Sequence, residues 1–135
     1  MPTSTNAYLA PATTVASDGN AFGYVTTQGA AVTQATNRAT GVTINAPCGT
    51  ITTNNTSLAA EASAVFVVTN SYVKIGDVVA TSIQSGAVGL MTSLQVTAVT
   101  NGSFSITVQN NNPAAGTAET GAILINFAII RAVAA

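Results

Sequence analysis

Apolar and polar positions alternate with a period of two through most of the chain after about residue 31, the pattern of half-buried β-strands. Val42 and Ile44 alternate with Thr43 and Asn45, Ala46-Pro47-Cys48-Gly49 reads as a four-residue turn, and Thr50-Ile51-Thr52 resumes the strand. Pairing Asn45 with Thr50 predicts a hairpin with Ile44 opposite Ile51 on one face. Pro47 belongs in its turn because it has no N–H to give to a ladder. Ala64 to Thr69 and Val78 to Ile83 are apolar on both faces. Such strands are covered on both faces; in a chain this short, the second cover is a neighbouring subunit or a second sheet.

Leu94 to Val108 predicts a hairpin with two competing registers. A two-residue turn at Asn101-Gly102 pairs Val99 with Phe104 and scatters the apolar residues over both faces. A three-residue loop, Thr100-Asn101-Gly102 with Gly102 left-handed, instead pairs Ala98 with Phe104, Val96 with Ile106 and Leu94 with Val108. All six then share one face, and the three-residue loop is preferred because a one-residue slip flips every side chain. After a polar loop from Asn110 to Gly121, a final strand is predicted over Ala122 to Val133. Ile123, Ile125, Phe127 and Ile129 line one of its faces, and Leu124, Asn126, Ala128 and Ile130 the other, as in a central or interface strand. The one helix signal, Ser57 to Ala62, is too short to stand alone. The fold expected is all-β, an antiparallel β-sandwich or jelly roll of about seven or eight strands.

Residues 1–27 lack this alternation and mix Pro2, Pro11, Gly19 and Gly23 with Ser, Thr and Asn. With Tyr8, Leu9, Phe22 and Tyr24 as the main large apolar residues, the segment cannot offset its ordering entropy alone. It is read as an extended N-terminal arm that orders against a partner surface, ahead of a β-sandwich domain over residues 28–135.

Composition adds a reason to expect assembly. Of 135 residues only 5% are charged, against about 25% in an average soluble domain. The charges are Arg38, Lys74 and Arg131 against Asp18, Glu61, Asp77 and Glu119, for a net charge of −1. A near-neutral polar surface repels its own copies weakly. Three scattered cations argue against nucleic-acid binding and against a basic membrane-binding segment. No leader pattern is visible at the N-terminus, and a single cysteine, Cys48, fits synthesis in a reducing cytoplasm.

Candidate chemistry is sparse. The chain has no His and one Cys, which removes Ser–His–Asp and Cys–His machinery and zinc sites built on those residues. The four carboxylates sit in no recognisable motif, so neither an enzyme nor a cofactor or metal site is expected. Asp77, after Gly76, reads as an Asx-type turn residue, and Cys48 as chemically incidental. Arg38 and Arg131 stand out in so uncharged a chain. Each is either a solvated charge at a strand end or a partner for Glu61, Asp77 or Glu119 across a subunit contact.

Several stretches resemble a segment of small tailed-phage virion proteins. They begin with Gly29-Ala30-Ala31-Val32-Thr33-Gln34-Ala35-Thr36-Asn37-Arg38 and Gly41-Val42-Thr43-Ile44-Asn45. They continue through Gly49 to Thr53, Ser57-Leu58-Ala59-Ala60, Val68 to Ser71, Asp77-Val78-Val79 and Gly102 to Ile106. Ile125-Asn126-Phe127-Ala128-Ile129-Ile130 closes the series. The resemblance covers roughly residues 29–131 and implies a capsid decoration (cement) or head-fibre component. Such a protein sits on the outer shell as a homo-oligomer, with a trimer expected and the major capsid protein as its partner. Under that reading Tyr8, Leu9, Phe22 and Tyr24 are capsid-contact anchors. Arg38, Phe66, Val68, Phe127, Ile129 and Arg131 are subunit-interface candidates. The alternative is a fibre or adhesin module that binds host glycans through polar loops such as Asn110 to Thr120. Two departures stand out: Glu61 replaces the glycine expected after Leu58-Ala59-Ala60, and Arg131-Ala132 replaces a terminal Lys-Gly.

Overall fold

The computed structural model describes residues 15–18 and 21–132. Strands β1 (Val15–Asp18) and β2 (Ala21–Tyr24) pair antiparallel as a separate two-stranded sheet. A 3-10 turn, Thr26–Gln28, leads into the main body. There β3 (Gly29–Thr33), β4 (Val42–Thr43), β5 (Cys48–Thr52), β6 (Ser63–Thr69), β7 (Val78–Ser85), β8 (Thr92–Thr100), β9 (Ser103–Asn110) and β10 (Leu124–Ile130) build two sheets of four. Their orders are β3-β5-β10-β7 and β4-β6-β9-β8. The all-β expectation is met as two facing, mostly antiparallel sheets, a β-sandwich.

The core lies between the sheets because each strand turns its alternate apolar residues inward. Ile51 on β5, Phe66 and Val68 on β6, Phe104, Ile106 and Val108 on β9, and Ile125, Phe127 and Ile129 on β10 are all buried there. Phe104 and Phe127 meet across the core with ring centroids 5.5 Å apart and tilted by 48°, a geometry worth about 0.5–1.5 kcal/mol beyond its burial. β10 is central, paired with β5 on one side and β7 on the other. Its faces are those the sequence predicts, with Ile123 also buried just before it.

Three expectations need correction. The sheets are not wholly antiparallel: β3 pairs parallel with β5, and β4 with β6. Parallel neighbours need a crossover, and here the intervening strand of the facing sheet supplies it.

The hairpin across Ala46–Gly49 does not form, because β4 and β5 belong to opposite sheets. Buried Asn70 explains the switch. Its Nδ2 donates to the carbonyls of Ile44 and Ala46, both at 2.7 Å, and Ile44 N–H donates to Thr69 O. The backbone groups that a hairpin would use are therefore held at the end of β6.

At the β8–β9 hairpin both predicted registers are half right. Thr100 pairs with Ser103 and Val99 with Phe104, as the two-residue turn requires. A bulge between Val96 and Ala98 then absorbs one residue, so that Val96 meets Ile106 and Leu94 meets Val108, as the alternation requires. Gly102 takes φ 87° and Asn101 does not go positive, so the turn is not type I′, which needs both.

Candidate interaction surfaces

Two ends of the sandwich carry the charged residues. At the first, the Glu119 side chain is fully buried and acts as an acceptor for the β7–β8 loop and for its own loop before β10. Its carboxylate receives the N–H groups of Val88 (3.0 Å), Gly89 (2.9 Å) and Gly121 (2.8 Å) and the Thr92 hydroxyl. Burial alone pushes this carboxyl up, but the hydroxyl and the three amides outweigh it and hold it below the usual carboxylate range. Arg38, 4% exposed, lies alongside. It donates to Thr53 Oγ1 at 3.2 Å, to the carbonyls of Glu119 (3.2 Å) and Gly121 (2.7 Å), and to Thr56 O. Burial lowers its pKa and the Glu119 charge partly restores it.

Asn110 and Asn112 complete this end. Asn110 Nδ2 reaches Leu58 O and Thr117 O, both at 3.0 Å, and Asn112 Nδ2 reaches Gly89 O at 2.6 Å. Both side chains are therefore turned inward, which leaves the Asn110–Thr120 loop fewer free amides for a sugar than its sequence implies. The loop fastened from beneath, Val88 to Met91, carries its apolar side chains outward. Val88 is 50%, Leu90 94% and Met91 49% exposed. Leu90 also sits at φ 63°, in the left-handed region.

At the opposite end Arg131 Nε lies 2.6 Å from Asp77 Oδ1. The contact is an ion pair without hydrogen-bond alignment, since that oxygen has no hydrogen-bond partner among the described residues. Asp77 Oδ2 accepts the Lys74 N–H at 2.9 Å, the turn role read from the sequence. Tyr24 roots the β1–β2 hairpin here by donating its hydroxyl to Ile129 O. The reason lies in Pro47, which faces Ile129 in the β5–β10 ladder and accepts its N–H at 2.8 Å. Proline has no N–H to return, so the Ile129 carbonyl takes a tyrosine instead. Burial, then the neighbouring Cys48, raises the Tyr24 pKa, which keeps the proton this bond needs. Cys48 opens β5 half-buried rather than sitting in a turn, and burial raises its thiol pKa.

The structure separates the predicted site residues. Phe66, Val68, Phe127 and Ile129 are at most 3% exposed. Their surface is covered within one chain, so they are core rather than interface. Arg131 meets Asp77 inside the chain, whereas Arg38 binds the backbone carbonyl of Glu119 and not its carboxylate. Of the arm anchors, Tyr24 is tied to its own β10, Phe22 is 85% exposed, and Tyr8 and Leu9 lie outside the described residues. The outer faces of the two-faced strands stay open, with Val65 at 49%, Val67 at 47% and Val78 at 52%. The Val88–Met91 tip was missed because the sequence offers only a short apolar run, and its one signal is Leu90 following a glycine. Among the described residues no three His, Cys, Asp or Glu side chains come together. Comparison with protein-family models, with curated proteins and with solved structures finds no match to this chain in any of the three.

Proposed function

We propose that the chain is a capsid decoration protein of a tailed phage, a subunit that binds the outer surface of the major capsid shell as a homo-oligomer and stabilises it. Leu90 carries the binding half of this reading. Its side chain is 94% exposed while its backbone is held at φ 63°. The left-handed conformation costs an L-residue about 1–2 kcal/mol, and here no burial within the chain offsets it. Strain kept at an exposed apolar tip, on a loop pinned by buried Glu119, fits a surface shaped for a partner. The virion half rests on the resemblance of residues 29–131.

The action is mechanical. Each copy presents a preformed apolar tip with little ordering left to lose on docking. An oligomer presents several tips at once, so the second contact forms at high effective concentration. The near-neutral surface does not oppose packing against the shell or against other copies.

The test uses capsids of the phage that encodes this chain, assembled without it. The wild-type chain should co-sediment with them and add density to the outer shell by electron cryo-microscopy. Leu90→Asp should fold normally and bind at least about tenfold more weakly, a loss of about 1.4 kcal/mol. A wild-type chain that leaves such capsids bare rejects the reading. Undiminished binding by Leu90→Asp removes the tip from it.

A further inference from the structure

The β1–β2 hairpin has no third strand within the described residues. Two strands alone are marginal in water and need a third strand or a packing surface. The hairpin is tied down at its base by Tyr24, yet two residues earlier Phe22 is 85% exposed. A Cβ placed on Gly23 between them would meet nothing within 4 Å.

The complementary feature is the edge of β7. In the β5–β10 ladder Ile129 N–H and Ile123 O point at the β5 side, so Asn126, Ala128 and Ile130 turn their backbone groups to β7. Their partners there are Ser82, Ala80 and Val78. Antiparallel pairing then leaves the N–H and C=O of Val79, Thr81 and Ile83 pointing away from the sheet. No other strand pairs with that side among the described residues. Exposed edges are normally blunted with Lys, Pro or inward-pointing charges, and β7, Val-Val-Ala-Thr-Ser-Ile-Gln-Ser, carries none. Beside this edge, on the outer face, lies a shallow depression lined in part by Ala80, Ser82, Asn126 and Ala128. Short side chains there leave room for a ring carried on an added strand.

We infer that copies of this chain join by strand addition: the hairpin of one copy pairs along the β7 edge of a second and seats Phe22 over the Ala80–Ala128 depression. The inference deepens the proposed function, because it supplies the contact that makes the homo-oligomer. It moves Phe22 from the capsid, where the resemblance put it, to a neighbouring copy.

The full-length chain is tested by light scattering after size exclusion and by hydrogen exchange. The wild type should have a multiple of the chain mass, and exchange at Val79, Thr81 and Ile83 should be slowed about tenfold or more relative to a free edge. Thr81→Pro removes only an outward-pointing N–H, a position where an edge strand tolerates proline. Phe22→Ala changes an exposed side chain and leaves the fold intact, so it serves where Thr81→Pro does not fold. Each folded variant should fall to the monomer mass and lose the edge protection. A wild-type monomer overturns the inference, as does an oligomer unchanged in Phe22→Ala, or edge protection that appears only when capsids are added. Capsid binding, measured separately, keeps the two readings apart. Oligomers that dissociate as expected, from a wild type that ignores capsids, uphold strand addition and reject decoration.

Discussion

The two ends of the sandwich place charge beside strand ends in opposite ways. At one, Glu119 and Arg38 are 0% and 4% exposed, and their polar atoms are taken up by backbone groups of several separate loops. At the other, the Arg131 side chain stays 57% exposed while it leans on the buried carboxylate of Asp77. A buried charge is costly to leave unpaired, so once its partners are in place it fixes them firmly. An exposed charge is hydrated and screened whichever way it points. The difference teaches where this nearly uncharged chain uses its few ions: one end is a fastener for loops, the other a light clasp.

The strongest way to break that contrast is Glu119→Ala. The amides of Val88, Gly89 and Gly121 would lose their acceptor and Arg38 its opposite charge. The expected loss is about 3–5 kcal/mol, the range for removing one side of a buried charged network, read as a fall in the urea midpoint. A loss below about 1 kcal/mol, the value of an exposed pair, would make the two ends equivalent.

Acid titration sharpens the same point without changing a residue. The folded-state pKa of Glu119 is depressed, so the unfolded chain binds its proton first as pH falls. The stabilisation is therefore fully present above the unfolded value of about 4.3 and is lost as pH drops through the lower folded value. Stability measured from pH 6 downward should show this slope in the wild type, and Glu119→Gln should flatten it. An equal slope in both would assign the acid sensitivity to another carboxylate.

Much of the fold was legible because burial imposes a period of two wherever a strand has one wet face. β10 and β9 were read residue by residue from that rule. What was not legible came from single polar residues acting at long range. Asn70 looked like one more turn former, yet its bonds to Ile44 and Ala46 send β4 and β5 to different sheets. The β8 bulge was hidden for a related reason: the turn and the alternation each demanded a register, and local patterns cannot show that an extra residue satisfies both. At the candidate surfaces the sequence identified the interesting charges but not their setting. Arg131 meets Asp77 within the chain, and Arg38 reaches the Glu119 backbone carbonyl rather than its carboxylate, because a charge in a neutral sequence does not reveal what its own fold will set beside it.

At the lighter end smaller effects are expected. Tyr24→Phe leaves Ile129 O without the donor that Pro47 cannot supply, and should cost about 1 kcal/mol, the net value of one hydrogen bond. Arg131→Ala should cost about as much, roughly 1 kcal/mol, because Arg131 is largely exposed while the buried Asp77 carboxylate it leaves keeps the Lys74 N–H, and part of that cost should disappear in high salt. Chemical denaturation at two salt concentrations checks both. A salt-independent loss of about 3 kcal/mol at Arg131, as for a buried pair, would erase the distinction between the ends.

The smallest effect separates backbone strain from its use. Glu61 and Leu90 share φ 63°, and Glu61 stands where the resemblance expects glycine. Replacing either by glycine removes about 1–2 kcal/mol of left-handed strain and restores about 0.5–1 kcal/mol of unfolded-chain freedom. Each variant should therefore gain about 0.5–1 kcal/mol, visible as a Tm higher by a few degrees. The two should then part company on capsids. Glu61→Gly should bind as the wild type does, because its change is confined to the turn before β6. Leu90→Gly, with the same gain in stability, should bind more weakly, because the side chain it removes is almost wholly exposed. If both variants bind alike, the strain at Leu90 is an accident of the loop, and Glu119 holds that loop for the fold alone.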